Sequence, residues 1–148
     1  MRKLTCLVLL VPGFASAVPY WACLSYAGKT HTKVLVFPGK TKTSAVFIFQ
    51  KELEHDGEKI PGGMHEGILE PSTSGFSTFA KLNVEKYFPS VESDGSGVWF
   101  TLILPLRTKG NASDAYILWR NTAGEAEGIL MGEYGCSQRK KGKAAFDW

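Results

Sequence analysis

Few side chains in this chain could do chemistry, and they are scattered. The histidines are His31, His55 and His65. His31 stands between Lys29 and Lys33, where the surrounding positive charge disfavours a cation. His55 and His65 flank the turn Pro61-Gly62-Gly63, with Glu52, Glu54, Asp56, Glu58 and Glu66 nearby. Imidazole and carboxylate together suit several first-row divalent metals, so this is where a metal site would be drawn. The spacing follows no ligand motif, and His65-Glu66 lacks the second histidine of a helical zinc-protease motif. A solvated acidic hairpin tip is the expectation, with no bound metal and no cofactor.

Nucleophilic catalysis has equally little to stand on. There is no G-x-S-x-G elbow, and Ser96 lies in Asp94-Gly95-Ser96-Gly97, a turn composition. Glu70, Glu92, Glu125, Glu127 and Glu133 are carboxylates that spacing alone does not pair. No glycine loop sits between a strand and a helix to cradle a phosphate. The aromatics Tyr20, Trp21, Trp99, Tyr116 and Trp119 are candidates to line a cavity inside a barrel, and Trp99, Tyr116 and Trp119 are the binding candidates among them. Asn111-Ala112-Ser113 is an N-glycosylation triplet in an expected turn, meaningful only in a eukaryotic secretory pathway.

The N-terminus supplies the strongest local signal. Arg2-Lys3 precede an apolar stretch from Leu4 to Val11, Pro12-Gly13 break it, and Ala15-Ser16-Ala17 offer the small residues a signal peptidase reads. The order and lengths predict a cleaved signal peptide over 1–17 and a secreted or periplasmic protein. The apolar run is about half the ~20 residues a spanning helix needs, so no membrane span is expected. Cleavage removes Cys6 and leaves Cys23 and Cys136, which have one intramolecular pairing and an oxidising compartment in which to form it. Closing so long a loop is worth up to about 4–5 kcal/mol, and it brings the two Cα atoms within about 7 Å. Losing Arg2 and Lys3 also lowers the formal net charge from +3 to about +1. Four of the remaining positive residues sit together in Arg139-Lys140-Lys141-Gly142-Lys143, expected as a solvated basic tail over 139–148 rather than a nucleic-acid site.

The elements between these ends are short, β-branched or aromatic, and punctuated by Gly, Pro, Asn, Asp and Ser. Strands are expected over 19–26, 32–37, 45–53, 66–70, 76–88, 98–106, 115–121 and 126–136, with a helical turn around Val84 to Tyr87. Asp56-Gly57 is the dipeptide of a tight hairpin. About eight regularly spaced strands make residues 18–138 one all-β domain, a small antiparallel barrel or sandwich whose first and last strands are linked by the disulfide. Sequential short connections favour the barrel. The expected core comprises Trp21, Val34, Val36, Phe47, Phe49, Leu82, Trp99, Leu102, Leu104, Ile117, Trp119, Ile129 and Met131.

With Tyr20-Trp21-Ala22-Cys23 near the start and Tyr134-Gly135-Cys136 near the end, the outline resembles the periplasmic inhibitors of C-type lysozyme. Ser96-Gly97-Val98-Trp99 follows only the beginning of their Ser-Gly-x-x-Tyr signature and lacks the tyrosine. The resemblance implies a small exported β-barrel binder and transfers no functional residue. Export, one staple and the lack of a catalytic constellation lead to a non-enzymatic domain that binds another macromolecule, most simply a protein, as an inhibitor, a toxin-immunity protein or a secreted effector. The alternatives are a lipocalin-like carrier of a small apolar ligand, and a secreted hydrolase using carboxylates or histidine.

Overall fold

The computed structural model describes residues 19–25, 32–73, 75, 77–106 and 111–139, with the backbone alone at 111–113. The expected signal peptide with Cys6, the turn at 28–30, His31, Phe76, the turn preceding Asn111 and the tail beyond Arg139 lie outside the described residues. The strands are β1 (Tyr20–Ser25), β2 (Lys33–Pro38), β3 (Ser44–Phe49), β4 (Leu53–His55), β5 (Glu58–Ile60), β6 (Gly63–Pro71), β7 (Ser77–Asn83), β8 (Val98–Pro105), β9 (Asn111–Arg120) and β10 (Ala126–Arg139). Eight of them close into a barrel in the order β1-β10-β9-β8-β7-β6-β3-β2. All pairs are antiparallel, and chain neighbours are sheet neighbours except where the hairpin β4–β5 is inserted between β3 and β6. Closure of β10 on β1 leaves no edge strand in the main sheet, which a sandwich would have kept.

Alternation along the strands fills the interior. Val34 and Val36, Phe47 and Phe49, Ala80 and Leu82, and Phe100, Leu102 and Leu104 are buried in one cluster with Ile117. An eight-stranded barrel is just wide enough for side chains to occupy its axis. Trp119, Ile129 and Met131 pack against the cluster, half-exposed. Trp99 is the exception to the expected core. With Val98, Phe100, Leu102 and Leu104 turned inward, period-two geometry places Trp99, Thr101 and Ile103 outside. Strand β8 is apolar on both faces, so hydrophobicity alone gave no parity.

β10 changes parity part-way. Leu130 pairs with Tyr116 and Gly132 with Ala115, so Met131 is an extra residue in a bulge. Gly132 has φ +136°, a conformation side-chain-bearing residues rarely adopt. Before the bulge the odd-numbered Ile129 packs on the core; after it Tyr134 and Cys136 are buried. Strict alternation from Ile129 would have turned Cys136 to solvent. The bulge therefore lets the Cys23–Cys136 bond form on the inner side.

Both ends of the barrel are tied. Where β3 and β7 finish, hairpin β4–β5 turns through Asp56 (φ +50°) and Gly57 (φ +83°). Its cross-strand pair Leu53 and Ile60 enters the core cluster. Beside it a single 3₁₀ turn, Glu85–Tyr87, is flanked by buried Val84 and Phe88. The amide and hydroxyl of Ser90 both donate to the Glu58 carboxylate, holding hairpin to turn. The expected strand over 45–53 is thus two strands: β3 stops at Phe49 because its ladders with β2 and β6 end there. At the opposite end the Trp21 indole donates to the Pro105 carbonyl at 2.7 Å, joining β1 to β8.

Asn111 opens β9 and pairs with Cys136, so the glycosylation triplet lies in a strand rather than in the expected turn. Pairing with β10 extends β9 four residues earlier than its own sequence suggests, since Asn111 to Asp114 carry no alternation of their own. No helix among the described residues is long and apolar enough to cross a membrane.

Candidate functional site

The two described histidines, His55 and His65, are engaged by their own neighbours. His55 Nε2 lies 3.3 Å from the carboxylate of adjacent Asp56 on the hairpin. His65 Nε2 lies 2.7 Å from the Pro61 carbonyl, while its ring packs edge-on against Phe49 and Tyr87. A carbonyl can only accept, so His65 Nε2 carries the proton and offers no lone pair there. Among the described residues no three His, Cys, Asp or Glu side chains gather as a metal ion requires. Asp94 Oδ1 accepts from the Ser96 amide at 2.9 Å and the Ser96 hydroxyl at 2.5 Å. Those bonds hold its carboxyl below the usual range and fix the loop. Glu70 pairs with Lys81 at 3.5 Å.

The aromatic candidates divide between inside and outside. Trp21 and Trp119 belong to the inner side, and the Trp119 indole nitrogen is buried with no hydrogen-bond partner. Trp99 and Tyr116 lie on the outer face of β8 and β9, not around an interior cavity. Tyr20 is also outside, stacked on Phe37 at 5.0 Å and packed with Leu35 in a separate small cluster. The volume inside the barrel is taken by the phenylalanine and aliphatic side chains of the core.

Outside, the faces of β7 to β10 form the feature that sequence reasoning missed. Cross-strand neighbours Phe79 and Ile103, Trp99 and Leu118, and Tyr116 and Leu130 place apolar side chains in adjoining rows. Ile103, Leu118 and Leu130 are 41, 41 and 56% exposed. Beside Leu118 lies a groove of about 450 Å³, lined by Phe79, Trp99, Thr101 and Leu118 and edged by Lys81 and Arg120. Two glycines let bulky side chains of this face lie close to the strands. The Trp99 indole lies so close over Gly97 that a Cβ there would meet Nε1 at 2.5 Å, and a Cβ on Gly128 would meet a Leu118 methyl at 2.9 Å. The Lys81 ammonium sits 4.9 Å from the centre of the Trp99 ring and also pairs with Glu70, fixing one side of the groove. Tyr116 donates to Asp114 at 3.1 Å, which raises its phenol pKa. The signal for this face was present in the strings Val98 to Pro105 and Tyr116 to Trp119. A barrel strand apolar at consecutive positions must show half its apolar side chains to the outside.

A second groove of about 600 Å³ lies at the β2–β3 turn, around Lys40, Thr41 and Glu66, and carries no aromatic side chain. Comparison with protein-family models, curated proteins and solved structures finds no match for this chain. The resemblance to lysozyme inhibitors therefore stays one of outline.

Proposed function

We propose that this is an exported, non-catalytic β-barrel that acts outside the cell by binding a protein partner through the outer face of β7 to β10. The observation that carries the reading is that face: exposed Ile103, Leu118 and Leu130 stand in cross-strand rows with Phe79, Trp99 and Tyr116, beside a groove that Phe79, Trp99 and Leu118 line. A contiguous apolar patch rimmed by polar groups on a small domain marks an interaction surface, and aromatic and arginine side chains dominate binding energy at such surfaces. The packed interior favours surface binding over enclosure of an apolar ligand. Export is supported by the order of charge, apolar run and small residues over 1–17 and by a buried disulfide that suits an oxidising compartment.

Two measurements test it. N-terminal sequencing of protein recovered outside the producing cell should begin at Val18. A photo-crosslinking side chain placed at Leu118 should capture a protein partner in that medium, whereas one at Glu54 on the hairpin should not. Equal capture from both positions, or from neither, removes this face as the binding surface.

A further inference from the structure

The outward side chains of β9, read along the strand, are Asp114, Tyr116, Leu118 and Arg120: an anion, two apolar groups and a cation. That order is complementary to itself when reversed. Consider a two-fold axis lying in the plane of the face, perpendicular to β9 at the level of Ile117. It sets a second β9 antiparallel to the first, with Arg120 over the other copy's Asp114 and Leu118 over its Tyr116. The same operation stacks β8 on β8 and β10 on β10, because an axis in this direction preserves the lateral order of strands.

The flanking strands fit the same operation. On β8, Trp99 pairs with Leu118 and Thr101 with Tyr116, so the bulky Trp99 of one copy falls over the smaller Thr101 of the other. On β10, Gly128 pairs with Leu118 and Leu130 with Tyr116, so exposed Leu130 falls over the position with no side chain. Large meets small on both sides of the central strand. Aligned sheets pack face to face in this manner about 10 Å apart.

Asp114 and Glu133 are direct cross-strand partners. Two carboxylates thus stand side by side on this face, Asp114 also accepting from Tyr116 of its own strand. The second copy's Arg120 would arrive beside both carboxylates.

We infer that the partner of this face is a second copy of the chain, held in an isologous dimer in which Arg120 of each copy meets Asp114 and Glu133 of the other. The inference rests on the reading of β7 to β10 as the binding surface and names its occupant.

Sedimentation velocity on the full chain, produced through an oxidising secretory compartment, should show a monomer–dimer equilibrium. Arg120→Asp and Asp114→Arg should each weaken the dimer about tenfold or more, because each places like charges across the interface. Mixing the two variants should restore association, since one copy then carries both acids and the other both bases at the contact positions. Misfolded variants would not rescue each other, and an intact disulfide in each checks the fold. A chain that stays monomeric into the millimolar range, or a dimer indifferent to both reversals and their mixture, overturns the inference. If the chain is monomeric while a crosslinker at Leu118 still captures a different protein, the second copy is wrong and the surface assignment stands. If the crosslinker also captures nothing, both fall.

Discussion

Cys23 and Cys136 stand directly opposite each other on the antiparallel ladder that joins the first barrel strand to the last, their Cα atoms 4.0 Å apart. The bond spans 113 residues of sequence and lies across the seam where the barrel closes. Its removal acts on the unfolded chain, which regains the entropy of a long loop, and on the seam itself. The double variant Cys23→Ala/Cys136→Ala should lose up to about 4–5 kcal/mol of unfolding free energy in a denaturant titration. Amide exchange in β1 and β10 should lose protection before β7 and β8. An unchanged midpoint would show that the ladder alone closes the barrel.

Tyr134 makes the protein sensitive to alkali. Burial pushes its phenol up to about 12, with a hydrogen bond from Ser25 opposing part of the rise. A tyrosine in the unfolded chain ionises near pH 10. Below that pH both states are neutral and the stability is complete. Between pH 10 and 12 the unfolded state releases its proton while the folded state largely keeps it, so stability falls with rising pH, by about 2 kcal/mol at the upper end. Tyr134→Phe should flatten this alkaline slope, and ultraviolet titration of the native protein should show one phenol ionising late. A slope unchanged by the substitution would assign it to another group.

Gly132→Ala should destabilise the fold by about 1–3 kcal/mol, because alanine is strained at φ +136°. The neighbouring exposed Glu133→Ala should stay within about 0.5 kcal/mol. Matched thermal unfolding of the two variants separates the backbone effect from the loss of a surface side chain. Equal behaviour would mean the bulge tolerates an ordinary residue.

The hairpin contributes to the core rather than decorating it. Ile60 is fully buried and pairs with Leu53 across β4–β5. Ile60→Ala should cost about 2–5 kcal/mol by transfer and cavity terms. Combined with Leu53→Ala the loss should fall short of the sum, because the two side chains share one space. A loss below 1 kcal/mol in calorimetry would show that the hairpin folds independently of the barrel end.

Removing the indole donor tests the other end. Trp21→Phe leaves the buried Pro105 carbonyl without its partner, which should cost about 1–3 kcal/mol beyond the change in packing. A variant as stable as the parent would mean that the carbonyl finds water instead.

What the sequence by itself determined was local and periodic. The β-branched and aromatic runs Val34-Leu35-Val36 and Phe47-Ile48-Phe49 are properties of consecutive residues that specify strands, and Val34, Val36, Phe47 and Phe49, expected in the core, do face inward. Asp56-Gly57 specified its hairpin through the left-handed backbone both residues accept. With Cys6 assigned to the expected signal peptide, Cys23 and Cys136 allowed one pairing, and the structure makes it. Tertiary structure decided the rest, because it turns on which strand lies beside which. The inward parity of β8 was undefined while both its faces were apolar, so Trp99 moved from the expected core to the outer surface only when Phe100 and Leu102 met the interior. The bulge at Met131–Gly132, which lets Ile129 and Cys136 both serve the inner side, is a mismatch between two strands and has no meaning in one. The apolar face of β7 to β10 is likewise assembled from residues as far apart in the chain as Phe79 and Leu130, brought into rows by cross-strand register rather than by spacing along the chain.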